Sequence, residues 1–204
     1  MAEEKYYDPL SDMSRLKESL VELFGDIEDI ANLIMPNLDD ENFTWMENWL
    51  GGNYTKTMNG ETKIKNLIGH CFDIPYVEGT ISDNRCAIFM ETHLLKVENQ
   101  HIKQVGLDIF VVCHKDAVRL SKDEKDYYNS IGIYGNRVDS AIQAINSTIN
   151  NKNLMKGIKE KYSIGELTFV ERNPLKQYIP ATKFYGKCLS YTYQSFYQRK
   201  DHVR

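Results

Sequence analysis

Residues 85–115 decide the predicted fold, and they read RCAIFMETHLLKVENQHIKQVGLDIFVVCHK. Two arms of this stretch alternate between two sets of side chains, and both arms are rich in β-branched and aromatic residues. Alternation with period two in such residues is typical of β-strands with two distinct faces. The polar residues 98–101 separate the arms and supply a turn, in which Asn99 tolerates a positive φ. The stretch therefore predicts a β-hairpin.

A four-residue turn sets the register of this hairpin by placing Val97 opposite Ile102. One face then consists of apolar pairs and is predicted to be buried: Cys86–Cys113, Ile88–Val111, Met90–Ile109 and Leu94–Val105. The other face carries three further pairs: Ala87–Val112, Phe89–Phe110 and Glu91–Asp108.

The Glu91–Asp108 pair sets two carboxylates opposite each other, which is unfavourable in a bare sheet. Three interpretations of this pair are open: the carboxylates are solvated, they meet a cation from another element or subunit, or they belong to a functional site. With His93 they form a candidate metal-dependent nuclease or hydrolase site, because acidic residues on neighbouring strands can hold Mg²⁺. A restriction-type nuclease would also need an Asp/Glu-x-Lys motif on the second strand, which the sequence after Asp108 lacks.

Other chemistry finds little support in the sequence. The four cysteines show no CxxC spacing, and no zinc, nucleophile or phosphate-binding motif is present. In the predicted register Cys86 and Cys113 are placed for a disulfide if the geometry and the compartment allow it, but two small apolar core residues are the favoured interpretation. We therefore expect no catalytic residue, no metal and no cofactor.

The remainder of the chain predicts three regions. We expect residues 1–36 to form an N-terminal arm and an amphipathic helix or helical hairpin. Residues 37–84 are expected to form an irregular insertion, and residues 85–204 an α+β core. In the core, a charged surface connection over 121–135 leads to a helix that opens at Asn136, loosens over 150–153 and gives way near Gly157. A second hairpin follows over 166–172 and 184–196. The predicted fold class is α+β, with a four-stranded, mainly antiparallel sheet of two hairpins packed against helices.

An assembly surface is predicted from aromatic residues on polar, loop-rich segments, since Trp and Tyr are enriched at protein interfaces. Ordinary core packing is the alternative for some of them. The candidate interface residues are Trp45, Trp49, Glu91, Asp108, Tyr178, Tyr191 and Tyr193. A net charge of −4 gives no basic surface that would grip nucleic acid, and neither a signal peptide nor a membrane-spanning stretch is predicted.

The order of elements resembles the tail terminator (tail-completion) proteins of tailed bacteriophages. The stretches that carry this likeness are the hairpin, then GNRVDSAIQAINSTI from residue 135, then GELTFVERNPL from 165 and GKCLSYTYQSF from 186. The likeness covers roughly residues 85 to 196 and depends on the order of elements, without a diagnostic short motif. Residues 37–84 are extra relative to the smallest members of that family.

The resemblance implies a structural, non-enzymatic virion protein of the tail or neck, assembled in the host cytoplasm. Its subunits would form a ring, typically a hexamer, that ends the tail tube and joins it to the head-side connector. The implied partners are further copies of the chain, the tail tube protein and the head-completion or connector protein, with DNA only passing through the lumen and no membrane. The neighbouring possibility is another neck component, such as a head-closure or adaptor protein.

Overall fold

The structure is a computed structural model of the 204-residue chain and describes residues 9–34, 71–72, 86–99, 102–170, 176–178 and 183–196. The helices in chain order are α1 Pro9–Asp26, α2 Glu28–Ile34, α3 Lys122–Ser130, α4 Arg137–Asn150 and α5 Lys152–Tyr162. The strands are β1 Cys71–Phe72, β2 Cys86–Asn99, β3 Ile102–His114, β4 Thr168–Phe169, β5 Lys176–Tyr178 and β6 Phe184–Phe196. None of the described helices is long and apolar enough to cross a membrane.

One sheet contains all of these strands, in the order β1-β2-β3-β6-β4, with β5 also paired to β6. β1 runs parallel to β2, whereas the other pairings are antiparallel. β4 and β5 follow each other along one edge of β6, because Thr168 pairs with Thr192 and Lys176 with Cys188. The α+β class is confirmed, but the described sheet has two short strands more than the four predicted.

The β2–β3 hairpin has the predicted register over most of its length, from Cys86–Cys113 through Glu91–Asp108 to Leu94–Val105. Beyond Leu94 the register shifts twice, so that Asn99 and not Val97 stands opposite Ile102. Each shift leaves one residue of β2 without a cross-strand partner in β3, as at a β-bulge. The prediction of a Val97–Ile102 pair is therefore wrong.

The main core lies between the helices and the face of the sheet that carries Ile88, Ile109 and Val111. Leu16 and Phe24 of α1 belong to this same buried cluster, so the N-terminal helices and the sheet share one core. The amphipathic N-terminal segment is two helices, with the break at Ile27. The break between α4 and α5 at Asn151 lies within 150–153, where the helix was expected to loosen. α5 then continues through Gly157 to Tyr162, so the expectation that the helix gives way near that glycine is wrong.

The second face of the sheet is apolar at the end where β3 finishes. Ala87, Phe89, Val112 and Phe184 form a separate buried cluster there, and Phe72 of β1 stacks on Phe89 with ring centroids 4.9 Å apart. The polar residues of this face lie farther along β2 and β3. The face is thus divided into a buried apolar half and a more exposed polar half.

The segment predicted as a surface connection over 121–135 contains helix α3. Ser121 caps it: the Ser121 hydroxyl accepts from the Glu124 amide at 3.2 Å, and the Glu124 carboxylate accepts from the Ser121 amide at 2.7 Å. This reciprocal pair is a capping box, which satisfies two otherwise unpaired backbone donors at a helix start. The Ser-x-x-Glu spacing was the signal in the sequence that indicated this helix.

Candidate interaction surface

The predicted carboxylate cluster lies on the polar half of the second sheet face. Asp108 of β3 accepts a hydrogen bond from the Ser190 hydroxyl of β6, and one of its oxygens lies 3.8 Å from His93 Nδ1. Glu91 stands opposite Asp108 and is exposed. Asp108 therefore meets partners from strands on both sides of β3, within one chain.

His93 covers a glycine on the neighbouring strand. Its cross-strand partner is Gly106, and a Cβ added to Gly106 would overlap the imidazole ring. Packing of an aromatic ring over a strand glycine replaces the contacts that the glycine lacks. The close approach of ring and backbone requires glycine at position 106 and holds the imidazole on the sheet beside Asp108.

The chemistry of this cluster is that of a polar sheet contact. Among the described residues, no three His, Cys, Asp or Glu side chains converge on a possible metal position. The structure brings His93 to Asp108, while Glu91 turns to solvent. The opposed carboxylates of the sequence are thus separated by environment, one exposed to water and the other held by Ser190 and His93.

The predicted aromatic interface residues take different places. Tyr191 and Tyr193 of β6 are buried in the main core, and the Tyr191 hydroxyl donates to Asn146 Oδ1 of α4 at 2.7 Å. Burial raises the pKa of Tyr191. These two tyrosines are core residues, which corrects their assignment to an exposed surface. Both follow the strand alternation that faces the helices, opposite Leu107 and Val105 of β3.

The other three aromatic candidates are not placed by contacts. Tyr178 lies in β5, where its backbone pairs with Gly186 of β6. Trp45 and Trp49 lie outside the described residues. The hypothesis that these residues contribute to an interface therefore stays a prediction.

An exposed apolar surface lies instead on the last part of β2. Leu94, Leu95 and Val97 are each between 47% and 52% exposed, and we call these three residues the tip patch. The described strand on the outer side of β2, β1, pairs only with Ile88 and Phe89. Exposed apolar side chains on a strand edge without a described partner are a common feature of protein-binding surfaces.

A second exposed apolar surface lies at the end of α3 and in the loop that follows. Tyr127, Ile131 and Tyr134 are between 46% and 60% exposed, and we call these three residues the base patch. The sequence-based list of candidate interface residues did not include these three, because 121–135 was interpreted as a charged connection. The tyrosines in that segment were the available signal.

The loop that carries Ile131 and Tyr134 of the base patch is held by two glycines and by Gln143. Gly132 and Gly135 adopt positive φ values of 82° and 111°, which glycine permits and side chains resist. The Gln143 side chain of α4 accepts from the Tyr134 amide at 3.2 Å and donates to the Tyr134 carbonyl at 2.5 Å. The Tyr134 ring is therefore presented to solvent from a fixed backbone.

Ion pairs join this end of the molecule to the core. Arg137, buried at the start of α4, donates from Nη2 to both Glu124 carboxylate oxygens at 2.9 and 3.0 Å and from Nε to the Ala117 carbonyl at 2.8 Å. Burial alone would raise the pKa of Glu124, but hydrogen bonds from Ser121 and Arg137 and the Arg137 charge outweigh it, so that pKa is lowered.

A second ion pair joins α4 to the sheet. Lys187 of β6 lies 2.5 Å from Asp139 Oδ1, and the hydrogen bond to Asp139 raises the pKa of Lys187 although burial opposes it. Asp139 also accepts from the Asn136 amide at 3.4 Å in the capping box that opens α4. These contacts fix the N-terminus of α4 over the sheet, next to the base patch.

The structure joins Cys86 to Cys113 in a disulfide with an S–S distance of 2.09 Å. The favoured expectation was a reduced pair in the core. The confirmed register explains the contact, because it places these two residues directly opposite each other on the buried face. Cys71 and Cys188 are buried and are not part of this bond.

Comparison with protein families gives one match: the family model YomW matches residues 28–193, which is well over half of the chain. The matched range includes α2, both exposed patches and almost all of the sheet. Neither the curated proteins nor the solved structures gave a significant match.

Proposed function

We propose a role in virion tail assembly for this chain, which belongs to the YomW family, a phage-derived family of the Bacillus prophage type. The proposed protein is a tail terminator: a ring of identical subunits that ends the tail tube and meets the head-side connector. Membership of this family supports a phage-associated role for the chain. The order of hairpin, helices and second antiparallel pairing resembles the tail terminator subunits.

The observation that carries the proposal is the exposed end of the β2–β3 hairpin. Leu94, Leu95 and Val97 expose about half of their side-chain surface in the single chain. Apolar side chains that stay half exposed are costly in water, and groups of them are common on surfaces that bind other proteins. A subunit whose work is assembly needs such surfaces, and an extended hairpin can reach a neighbour.

A ring and a DNA conduit are compatible with the chain's charge. Closed rings form through heterologous contacts, in which two different surfaces of each subunit meet. The net charge of −4 lets DNA pass through a lumen without strong attraction between the protein and the phosphates. We propose the hexamer that is typical of tail terminators, with the tube protein and the connector as further partners, and no enzymatic activity.

Deletion of the gene from the phage genome tests the proposed function. Without a terminator, tube growth has no stop, so electron microscopy of lysates should show tails of abnormal length that are not joined to heads. Expression of the intact gene in trans should restore tails of uniform length on filled heads. Uniform, head-joined tails from the deletion phage would contradict the proposal.

The metal-dependent nuclease or hydrolase is tested with the purified chain. We expect no cleavage of DNA or RNA that depends on Mg²⁺ or Mn²⁺. Cleavage that Asp108→Asn abolishes, while the variant keeps the wild-type thermal midpoint, would replace the structural role by an enzymatic one.

A further inference from the structure

The two exposed apolar patches lie at opposite ends of the sheet. The tip patch lies near the end of β2, where Asn99 pairs with Ile102 at the start of β3. β3 has 13 residues, so its far end is roughly 40 Å away at about 3.3 Å per residue. The chain turns there at Ala117, whose amide donates to the His114 carbonyl, and enters α3 a few residues later.

The path of α4 fixes the base patch at that far end. The Arg137 amide donates to the Val118 carbonyl just beyond β3, and Asp139 meets Lys187, which pairs with Val111. Farther along α4, Asn146 contacts Tyr191, which pairs with Leu107 nearer the tip. Tyr134 precedes the start of α4, so the base patch and the tip patch are on separate ends of the subunit.

Charge around the two patches is complementary. Lys96 and Lys103 flank the tip patch, with Glu98 as the one acid between them in the sequence. The base patch is flanked by acids of α2: the Tyr127 hydroxyl donates to Asp29 Oδ1 at 3.0 Å, and this hydrogen bond together with the Asp29 and Glu28 charges raises the pKa of Tyr127. Complementary charge of this kind orients two surfaces as they meet.

We propose that the tip patch of one copy of this chain docks on the base patch of the next copy. This inference rests on the proposed function, because it names the subunit contact from which the ring would be built. Tyr134 provides an aromatic anchor on a backbone that Gln143 holds in place, and Tyr127 provides one in a helix with its hydroxyl bonded to Asp29, so little conformational entropy is lost when they are covered. Leu94, Leu95 and Val97 supply the apolar side chains that cover them.

A contact between two different patches can be separated from a contact between two identical ones. The tip variant is Leu94→Ser/Val97→Ser, the base variant is Ile131→Ser/Tyr134→Ser, and Leu154→Ser, an exposed leucine in neither patch, is the matched control. Masses are measured by sedimentation at equal concentrations, and thermal midpoints verify that each variant is folded. We expect monomers of the tip variant and of the base variant, and wild-type oligomers of the control.

Mixing the two variants is the decisive measurement. Each variant keeps one intact patch, so the mixture should form two-copy complexes and nothing larger. A monomeric mixture, an oligomeric tip or base variant, or a monomeric wild-type chain at millimolar concentration would overturn the contact. As a second measurement, with only one substitution in each patch, Val97→Cys copies should cross-link with Tyr134→Cys copies under oxidation and not with themselves; self-cross-linking of Val97→Cys alone would also overturn it.

The outcomes separate this contact from the tail role. Two-copy complexes in the mixture, together with normal tails from the deletion phage, would leave the contact standing and remove the tail terminator function. A monomeric mixture together with tails of abnormal length would remove the contact and leave the tail terminator function standing.

Discussion

Glu124→Gln should destabilise the chain far more than the change of one surface-accessible carboxylate suggests. Glu124 is the anionic partner of Arg137, whose side chain is only 5% exposed, whereas that of Glu124 is 28% exposed. Gln can still accept from the Ser121 amide and from one guanidinium nitrogen, so the substitution removes the charge and keeps most of the shape. The buried guanidinium then has no counter-charge among its described contacts.

The expected loss follows from the burial of the pair. Removing one partner of a fully buried ion pair costs ~3–5 kcal/mol, and the partial exposure of Glu124 reduces this to about 2–3 kcal/mol. For a chain of this size about 1 kcal/mol corresponds to ~2–4 °C, so the thermal midpoint should fall by roughly 5–10 °C. Urea unfolding at pH 7 measures the free energy directly.

The pH dependence has a definite sign. The folded-state pKa of Glu124 is lowered, so its contribution to stability is present above the unfolded value of about 4.3 and is lost as the pH falls through the folded value. The difference in unfolding free energy between the wild type and Glu124→Gln should therefore narrow below about pH 4.

Glu160→Gln is the matched control. Glu160 pairs with Lys156 at 4.0 Å on the surface of α5, and both side chains are largely exposed. Exposed pairs of this kind contribute about 0–0.5 kcal/mol. Equal effects of Glu124→Gln and Glu160→Gln at pH 7 would refute the argument that the Arg137 charge depends on Glu124.

Two further substitutions test the sheet. Gly106→Ala should displace the His93 ring and lower the unfolding free energy of the wild type by about 1 kcal/mol. In a His93→Ala background the same substitution should be neutral or stabilising. Equal costs in both backgrounds would exclude the packing of His93 on Gly106. Tyr191→Phe should cost about 1–2 kcal/mol, because Asn146 loses a partly buried hydrogen bond, whereas Tyr134→Phe at an exposed ring should leave the thermal midpoint unchanged. An unchanged midpoint for Tyr191→Phe would count against a structural role of that bond.

The hairpin register was predictable because two constraints act together. Period-two alternation assigns each side chain to a face, and a slip of one residue would expose Ile88 and Val111. The two shifts beyond Leu94 escaped prediction because both lie where β2 is exposed, so the burial of side chains no longer fixes the register there.

Other features depended on contacts that the sequence does not display. β1 pairs with β2 in parallel, and this pairing of Cys71 with Ile88 has no local signal in the sequence. α3 lacks an apolar stripe of helical spacing and is fixed by its capping box and by Arg137, which follows it in the chain. Tyr191 and Tyr134 also differ in a way that the sequence does not display. Tyr191 is buried and bonded to α4, whereas Tyr134 is exposed.

The polar cluster and the tip patch divide the hairpin into two parts with different roles. Asp108 contacts Ser190 and His93 within its own sheet, whereas Glu91 opposite it is exposed to water. The tip patch is not covered in this way by the rest of the described chain, because its leucines and valine remain half exposed in the single chain. Stability of the chain therefore depends on the part of the hairpin before Thr92 and on the Asp108 contacts, whereas the proposed association would use the part from Leu94 onward. In β2 the buried first part belongs to the core, and the exposed second part would form the proposed contact. The burial of β2 ends near the middle of the strand.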